Sequence, residues 1–222
     1  MLRAELLVEQ HEVPAHLKGR GCCVPRVIRI VERRVPERHD AVADILVDGP
    51  AAFEPVRIGI GMNTGACVVG NFGSEQRFDY SVLGDTVNLA SRLEGQAKPY
   101  GVDVVLGEST AALIQGFALL ELDRLRVKGK MTPVHLFGLL GDATMEAEER
   151  FQALRTRHGQ FLAAYREQRW EEALRLMEAC LQLDTERTRL RIFYRVYRDR
   201  IAAYQTQSPG QDWDGMFIAT GK

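Results

Sequence analysis

The sequence predicts an α+β protein with an α-helical C-terminal segment, and two patterns support this prediction. Between residues 56 and 141, short apolar or alternating segments are interspersed with segments of helical spacing, without a strict βαβ repeat. From residue 150 onward, apolar residues recur at steps of three and four, which is typical of helices. Residues 1–55 show neither pattern, apart from the strand-like alternation of VPRVIRIVERRV (24–35), and they stay unassigned.

The 56–141 segment accounts for the mixed part of the fold. Alternation and apolar runs predict strands at 56–65, 66–73, 78–83 and 101–109, and two more within 117–141. The second of these strands is predicted to return from a turn at Asn63–Gly65, and the last two to be joined by a turn at Lys128–Thr132. A helix is predicted from about Asp85 to Ala97, and a shorter one near 109–115.

The C-terminal segment is predicted to begin with a polar linker at 142–149 and to continue as a helical tail over 150–222. FLAAYREQRWEEALRLMEACLQLD (161–184) resembles one tetratricopeptide hairpin, and a plain helical hairpin is an equally good interpretation. A third helix is predicted near 186–204. Trp213 and Phe217 lie in the last loop, and residues of this size usually pack against something.

The composition indicates an ordinary globular protein of the reducing cytoplasm. The 222 residues carry a net charge of −1, so the chain as a whole gives no argument for attraction to nucleic acid or a membrane surface. We find no apolar run of the roughly 20 residues that span a bilayer. The four cysteines form no disulfide framework, and His11, His16, Cys22 and Cys23 match no common zinc spacing, so no metal ligands are predicted.

One helix carries a polar stripe that could bind an anion. Asp85, Asn88 and Arg92 follow one another at steps of three and four, so they share a face. The Arg guanidinium matches phosphate oxygens, and Asn can hold a hydroxyl group. From spacing alone, a solvated Asp–Arg surface pair is the favoured explanation of the stripe, and a solvated hairpin tip is the favoured explanation of Lys128 in KGK (128–130).

Four motifs in order resemble the C-terminal half of class III adenylate/guanylate cyclase catalytic domains: GIGMNTG, VGNFGS, DYSVLGDTVNLASRLE and VKGK. The resemblance covers about 57–141 and is specific, because the order and the separations both match. It implies a partial ferredoxin-like cyclase sheet with packed helices, which is the C-terminal half of a cyclase domain (56–141). It also implies a bacterial enzyme of intracellular signalling that converts ATP to cyclic AMP and pyrophosphate, a phosphorus–oxygen lyase.

The resemblance also implies a role for four residues. Asn88 would position the ribose, and Arg92 would stabilise the pentavalent phosphorus in the transition state. Lys128 would contact the triphosphate, and Ser81 would face the purine base. Ser at this position favours ATP over GTP.

The metal-binding half of such a site is absent from this sequence. The family's F-x-D-I-x-G-F-T and K-x-I-G-D motifs supply two Asp residues for two Mg or Mn ions, and neither motif occurs here. Asp44 and Asp48 lack the surrounding motif. The favoured explanation is that residues 1–55 are out of frame or disordered, and the alternative is a divergent native segment. Either way, we expect the chain alone to be inactive.

Two function classes therefore remain open. The first is a cyclase subunit that needs a homodimer or a full-length cyclase partner to complete its site. The second is a non-catalytic dimerisation or binding module that keeps the half-fold and uses the helical tail for partners.

Overall fold

A seven-stranded mixed sheet is the main feature of the computed structural model, which describes residues 4–9, 26–32, 59–71, 80–126 and 133–218. In chain order the described strands are β1 (Ala4–Glu9), β2 (Arg26–Glu32), β3 (Gly59–Gly65), β4 (Val68–Asn71), β5 (Tyr80–Leu83), β6 (Val104–Gly107), β7 (Ala118–Arg126), β8 (Val134–Gly141) and β9 (Phe217–Ile218). The described helices are α1 (Asp85–Tyr100), α2 (Glu108–Ala111), α3 (Ala143–Ala147), α4 (Glu149–Arg166), α5 (Trp170–Leu183) and α6 (Arg191–Thr206).

The order of strands in the large sheet is β1-β2-β3-β6-β8-β7-β9. The β3–β6 and β7–β9 pairs are parallel, and the others are antiparallel. β4 and β5 form a separate antiparallel hairpin. The predicted return of 66–73 along 56–65 is therefore wrong: β2 and β6 already occupy both edges of β3, so β4 pairs with β5 instead.

The other predicted elements appear in the described parts of 56–141, with shifted ends. α1 continues past Ala97 and includes Pro99 in its last turn, and it stops at Gly101, whose left-handed backbone (φ 71°) ends the helix. The predicted turn at 128–132 lies outside the described residues. The α+β class is confirmed.

The segment before residue 56 contains more strand than its sequence pattern predicts. Residues 26–32 of the strand-like stretch form β2, which pairs with β3 over seven residue pairs. β1 pairs with β2 in turn, although no alternation predicts it. The assignment of residues 1–55 as out of frame stays a prediction.

The tail is helical as predicted, and its linker is partly helical too. The Asp142 carboxylate accepts hydrogen bonds from the backbone amides of Thr144 and Met145, both at 3.1 Å, and so starts α3. α4 and α5 form the expected hairpin, and α6 begins five residues later than predicted. Whether the hairpin is a tetratricopeptide unit stays a prediction.

One hydrophobic core joins the sheet to the tail. Its buried members run from Leu93 and Tyr100 of α1, through Val105 and Leu120 of the sheet, to Phe193 of α6. Trp213 and Phe217 pack against this core, as their size predicted. The tail is therefore packed on the sheet and on α1.

The core contains a buried histidine. His158 of α4 is 2% exposed, and its Nε2 donates to the carbonyl oxygen of Glu121 at 2.7 Å. Its Nδ1 then accepts a hydrogen bond from the Tyr194 hydroxyl at 2.9 Å. Burial lowers the pKa of His158 to about 4, so the imidazole is neutral at pH 7.

Within the ranges that the structure describes, no helix is both long and apolar enough to cross a membrane.

Candidate active site

The site begins with a strand face made of very small residues. The face of β3 that α1 covers carries every second residue of the strand, and three of these are glycines: Gly59, Gly61 and Gly65. A Cβ atom on Gly61 would lie 2.2 Å from the carbonyl oxygen of Ala90 and 2.3 Å from the backbone nitrogen of Glu94. The backbone of α1 therefore rests directly on β3, which is possible only because Gly61 has no side chain.

α1 lies on this face with a strip of small and apolar residues. Ala90, Leu93, Ala97 and Tyr100 follow one another at steps of three and four, and all are at most 2% exposed. Asn63 of β3 is also buried, and its Nδ2 donates to the carbonyl oxygen of Thr86 at 3.3 Å. The strand thus fixes both the first turn and the middle of the helix.

The opposite face of α1 presents the polar stripe. Asp85, Asn88 and Arg92 are all exposed, which agrees both with a solvated surface stripe and with side chains that meet a ligand or a partner subunit. Their helix leaves the strand pair β4–β5 through the single residue Gly84. Asn88 and Arg92 are therefore presented together from a helix whose other side is buried.

The structure describes the position of Ser81 but not that of Lys128. Ser81 lies in β5 opposite Gly70 of β4 and is half-buried, four residues before α1 begins. Lys128 lies outside the described residues, in the connection between β7, which ends at Arg126, and β8, which starts at Val134. The structure gives no contact for Lys128, and the roles of all four residues stay predictions.

The described residues do not fit a pair of metal ions. Within those ranges, no three His, Cys, Asp or Glu residues lie close enough to hold an ion. Asp44 and Asp48 lie outside them.

Sequence reasoning did not identify the residues that hold α1 in place. In the sequence, Gly61 and Asn63 stand only as part of the polar or small half of an alternating strand. The signal was available, because glycine at every second strand position suggests a close backbone approach.

These features define an α+β domain in which a strand–helix unit presents an Asn–Arg pair, the arrangement expected of one half of a nucleotide cyclase site. The chain belongs to the adenylate and guanylate cyclase catalytic domain family, because the model of that family matches residues 28–141, slightly more than half of the chain. The match begins upstream of residue 56 and includes most of β2.

Individual relatives support the same family. The chain is 34% identical over 93 residues to an adenylate cyclase of Anabaena cylindrica, covering 40% of this chain and 18% of that protein. It is 36% identical over 86 residues to adenylate cyclase 1 of Rhizobium meliloti, covering 38% of this chain and 13% of the relative. It is also 42% identical over 78 residues to retinal guanylyl cyclase 1 of Rattus norvegicus, covering 34% of this chain and 7% of that protein. The chain thus spans less than a fifth of each relative.

Among solved structures, the adenylyl cyclase CyaB from P. aeruginosa is similar at 34% identity and a TM-score of 0.35, covering 40% of this chain and 45% of that one.

Proposed function

We propose that this chain supplies the Asn–Arg half of an adenylate cyclase site and completes it by pairing with a second cyclase subunit. The reaction joins the ribose 3′-oxygen of ATP to the α-phosphorus and breaks the bond from that phosphorus to the bridging oxygen. Pyrophosphate leaves, and the hydroxyl proton is released. The observation that carries this proposal is the exposed Asn88–Arg92 stripe on a helix held by backbone contact with β3.

Each residue of the half-site has a defined task in this proposal. Arg92 neutralises charge that builds on the phosphate oxygens in the transition state, where a fixed guanidinium acts most strongly. Asn88 orients the ribose, and Lys128 binds the triphosphate. The Ser81 hydroxyl forms a hydrogen bond with the edge of the adenine base, as donor or as acceptor.

The partner must contribute what this sequence lacks. The two Asp residues expected to hold Mg or Mn ions in the family have no counterpart here, so a full-length cyclase partner supplies them. A homodimer of this chain would present two Asn–Arg halves and no metal half. The chain alone therefore makes no cyclic AMP.

A complementation assay tests the proposal. The partner is a full-length cyclase of this family whose own transition-state Arg is replaced by Ala and whose metal-binding Asp pair is intact. Adding the wild-type chain should restore cyclic AMP production, and Arg92→Ala should reduce that rescue by about 100-fold or more. Lys98→Ala, at an exposed cation near the other end of α1, is the matched control and should rescue normally. Parallel reactions with GTP test the preference that Ser81 implies.

Three results would contradict the proposal. They are absence of rescue by the wild-type chain, equal rescue by Arg92→Ala, and cyclic AMP production by the chain alone with Mg or Mn.

The alternative is a non-catalytic dimerisation module, and it shares one supporting observation with the cyclase subunit, because both must associate with a partner. Val68 and Leu83 face each other across β4 and β5, and they are 58% and 53% exposed. Neighbouring exposed apolar side chains are compatible with an association surface. Tight association with a cyclase partner, without nucleotide binding or rescue, would support this alternative.

A further inference from the structure

Helix α6 of the tail is packed against the C-terminal end of α1. The rings of Tyr100 and Phe193 lie 6.0 Å apart, centroid to centroid. Gly101 allows α6 to approach closely because it has no side chain: a Cβ atom there would lie only 2.6 Å from the Cβ of Ile192. The end of α1 opposite its first turn is thus held by the tail.

A buried polar cluster joins α1, β7 and α6 at this place. The Tyr100 hydroxyl donates to Oδ2 of Asp123 at 2.5 Å, and Nη1 of Arg200 donates to the same oxygen at 2.6 Å. Nη2 of Arg200 donates to the Tyr100 hydroxyl oxygen at 3.0 Å. The side chains of Arg200 and Asp123 are only 9% and 2% exposed, so the removal of either partner would leave a buried charge uncompensated.

The C-terminal strand adds a cover over this cluster. The Phe217 ring lies 3.7 Å from the guanidinium carbon of Arg200, measured to the ring centroid. Phe217 belongs to β9, which pairs with β7 as a parallel strand. In this pairing Phe217 lies beside Leu125, and Ile218 lies beside Arg126. β7 ends at Arg126, two residues before Lys128.

Arg200 therefore contacts Tyr100, the last residue of the helix that carries Asn88 and Arg92. Arg92 is eight residues before Tyr100 on the same helix, about 12 Å along its axis at 1.5 Å per residue. Release of the Tyr100 end would let α1 tilt about its contact with Gly61 at Ala90 and Glu94. A tilt of about 10° there would move the backbone of Asn88, about 6 Å from that contact along the axis, by about 1 Å, and would swing the side chain of Arg92 with the helix. A misplacement of this size can reduce an enzymatic rate by about 100-fold.

We propose that Arg200 is a positioning residue for the half-site: by binding Asp123 and Tyr100 it fixes the direction of α1, and hence the place of Asn88 and Arg92. This role rests on the function proposed above. It gives the helical tail a task in catalysis, although the tail lies beyond the residues that the family model matches.

The complementation assay tests this role with three variants and one control. Tyr100→Phe removes one hydroxyl and keeps the ring, Arg200→Lys keeps the charge and loses the fork, and Arg200→Met removes the charge. Arg198→Met changes the same residue type on the same helix, at a side chain that is 56% exposed and 3.5 Å from Glu178. Rates are expressed per folded molecule, measured by circular dichroism at the assay temperature.

Tyr100→Phe and Arg200→Met should lower the kcat of rescue about tenfold or more, and KM for ATP should stay within about twofold. Arg92 acts on the transition state, so a displaced Arg92 affects kcat rather than KM. A role in stability alone would reduce the folded fraction and leave kcat per folded molecule unchanged. Arg200→Lys should recover part of the rate, and Arg198→Met should match the wild type.

Amide hydrogen exchange on the 222-residue chain gives a readout that does not require activity. Arg200→Met should speed exchange in α1 and at Leu125 at least tenfold, and Arg198→Met should not. Unchanged kcat in Tyr100→Phe and Arg200→Met, in a system that the wild-type chain rescues, would overturn the positioning role alone. Unchanged exchange in α1 would overturn it too. Absence of rescue by the wild-type chain would overturn the proposed function and this role together.

Discussion

The contact between β3 and α1 makes Gly61→Ala the most informative single substitution in the domain. The added methyl group would meet the backbone of α1 at 2.2 Å from the Ala90 oxygen and 2.3 Å from the Glu94 nitrogen. Ordinary contacts of this kind are about 3.4 Å or longer, so the helix must retreat by about 1 Å. No side-chain rotation can relieve the clash, because both atoms belong to the helix backbone.

The expected cost follows from this geometry. Overpacking a tight interior usually destabilises a protein by about 1–3 kcal/mol, and a backbone clash belongs at the upper end. We therefore expect Gly61→Ala to lower the free energy of unfolding by about 3 kcal/mol. The same retreat displaces Arg92, so the rescue of a partner cyclase should fall by about 100-fold per folded molecule.

Urea unfolding followed by circular dichroism measures the first effect, and complementation measures the second. Gly95→Ala, on α1 itself, is the control: nothing lies within 4 Å of its added methyl, so it should stabilise the protein by up to about 1 kcal/mol. Gly59→Ala meets side-chain atoms at 3.1 Å and should cost less than Gly61→Ala. If Gly61→Ala unfolded within 1 kcal/mol of the wild type and rescued normally, the close approach of α1 to β3 would be refuted.

Two further predictions concern the linker and the tail. Burial holds the folded-state pKa of His158 near 4, whereas the pKa of a histidine in the unfolded chain is near 6.5. Between these two pH values, the imidazole therefore gains a proton in the unfolded chain but not in the folded one. The free energy of unfolding should therefore fall by about 2 kcal/mol between pH 7.5 and pH 5 in the wild type, and His158→Gln should lose that component in urea titrations at the two pH values. Asp142→Ala should lower the free energy of unfolding by about 1 kcal/mol through loss of the α3 cap.

Each of these has its own control. A pH dependence in His158→Gln as steep as in the wild type would show that other groups cause it. Asp142→Asn keeps an oxygen that can cap the helix, so it should retain most of the stability that Asp142→Ala loses. Equal losses in both variants would argue against the cap.

Local patterns predicted most elements of 56–141, because alternation and helical spacing are properties of neighbouring residues. They did not predict which face of β3 is covered. Ile60 and Met62 are the apolar half of the strand, yet both are only half-buried, whereas Gly61 and Asn63 are buried. The face of β3 that carries Gly61 and Asn63 packs against the backbone of α1. Large apolar side chains on that face would prevent such a close approach of the helix.

The polar stripe could be found from sequence, and its support could not. Asn88 and Arg92 are four residues apart, so their shared face follows from helical geometry. Arg200 and Asp123 are separated by 77 residues, and each alone resembles an ordinary surface charge. Only the packing of α6 against α1 and β7 brings them together in a buried site.

The pairing of β9 with β7 also bears on self-association. A sheet edge with unpaired amides and carbonyls is a template for strands of other molecules. β9 covers the outer side of β7 at Leu125 and Arg126, and Trp213 helps to fix it through a hydrogen bond from Nε1 to the Met216 carbonyl oxygen at 2.9 Å. Proteolytic removal of the last few residues would uncover that part of the edge, and the clipped chain should aggregate strand to strand more readily than the intact one.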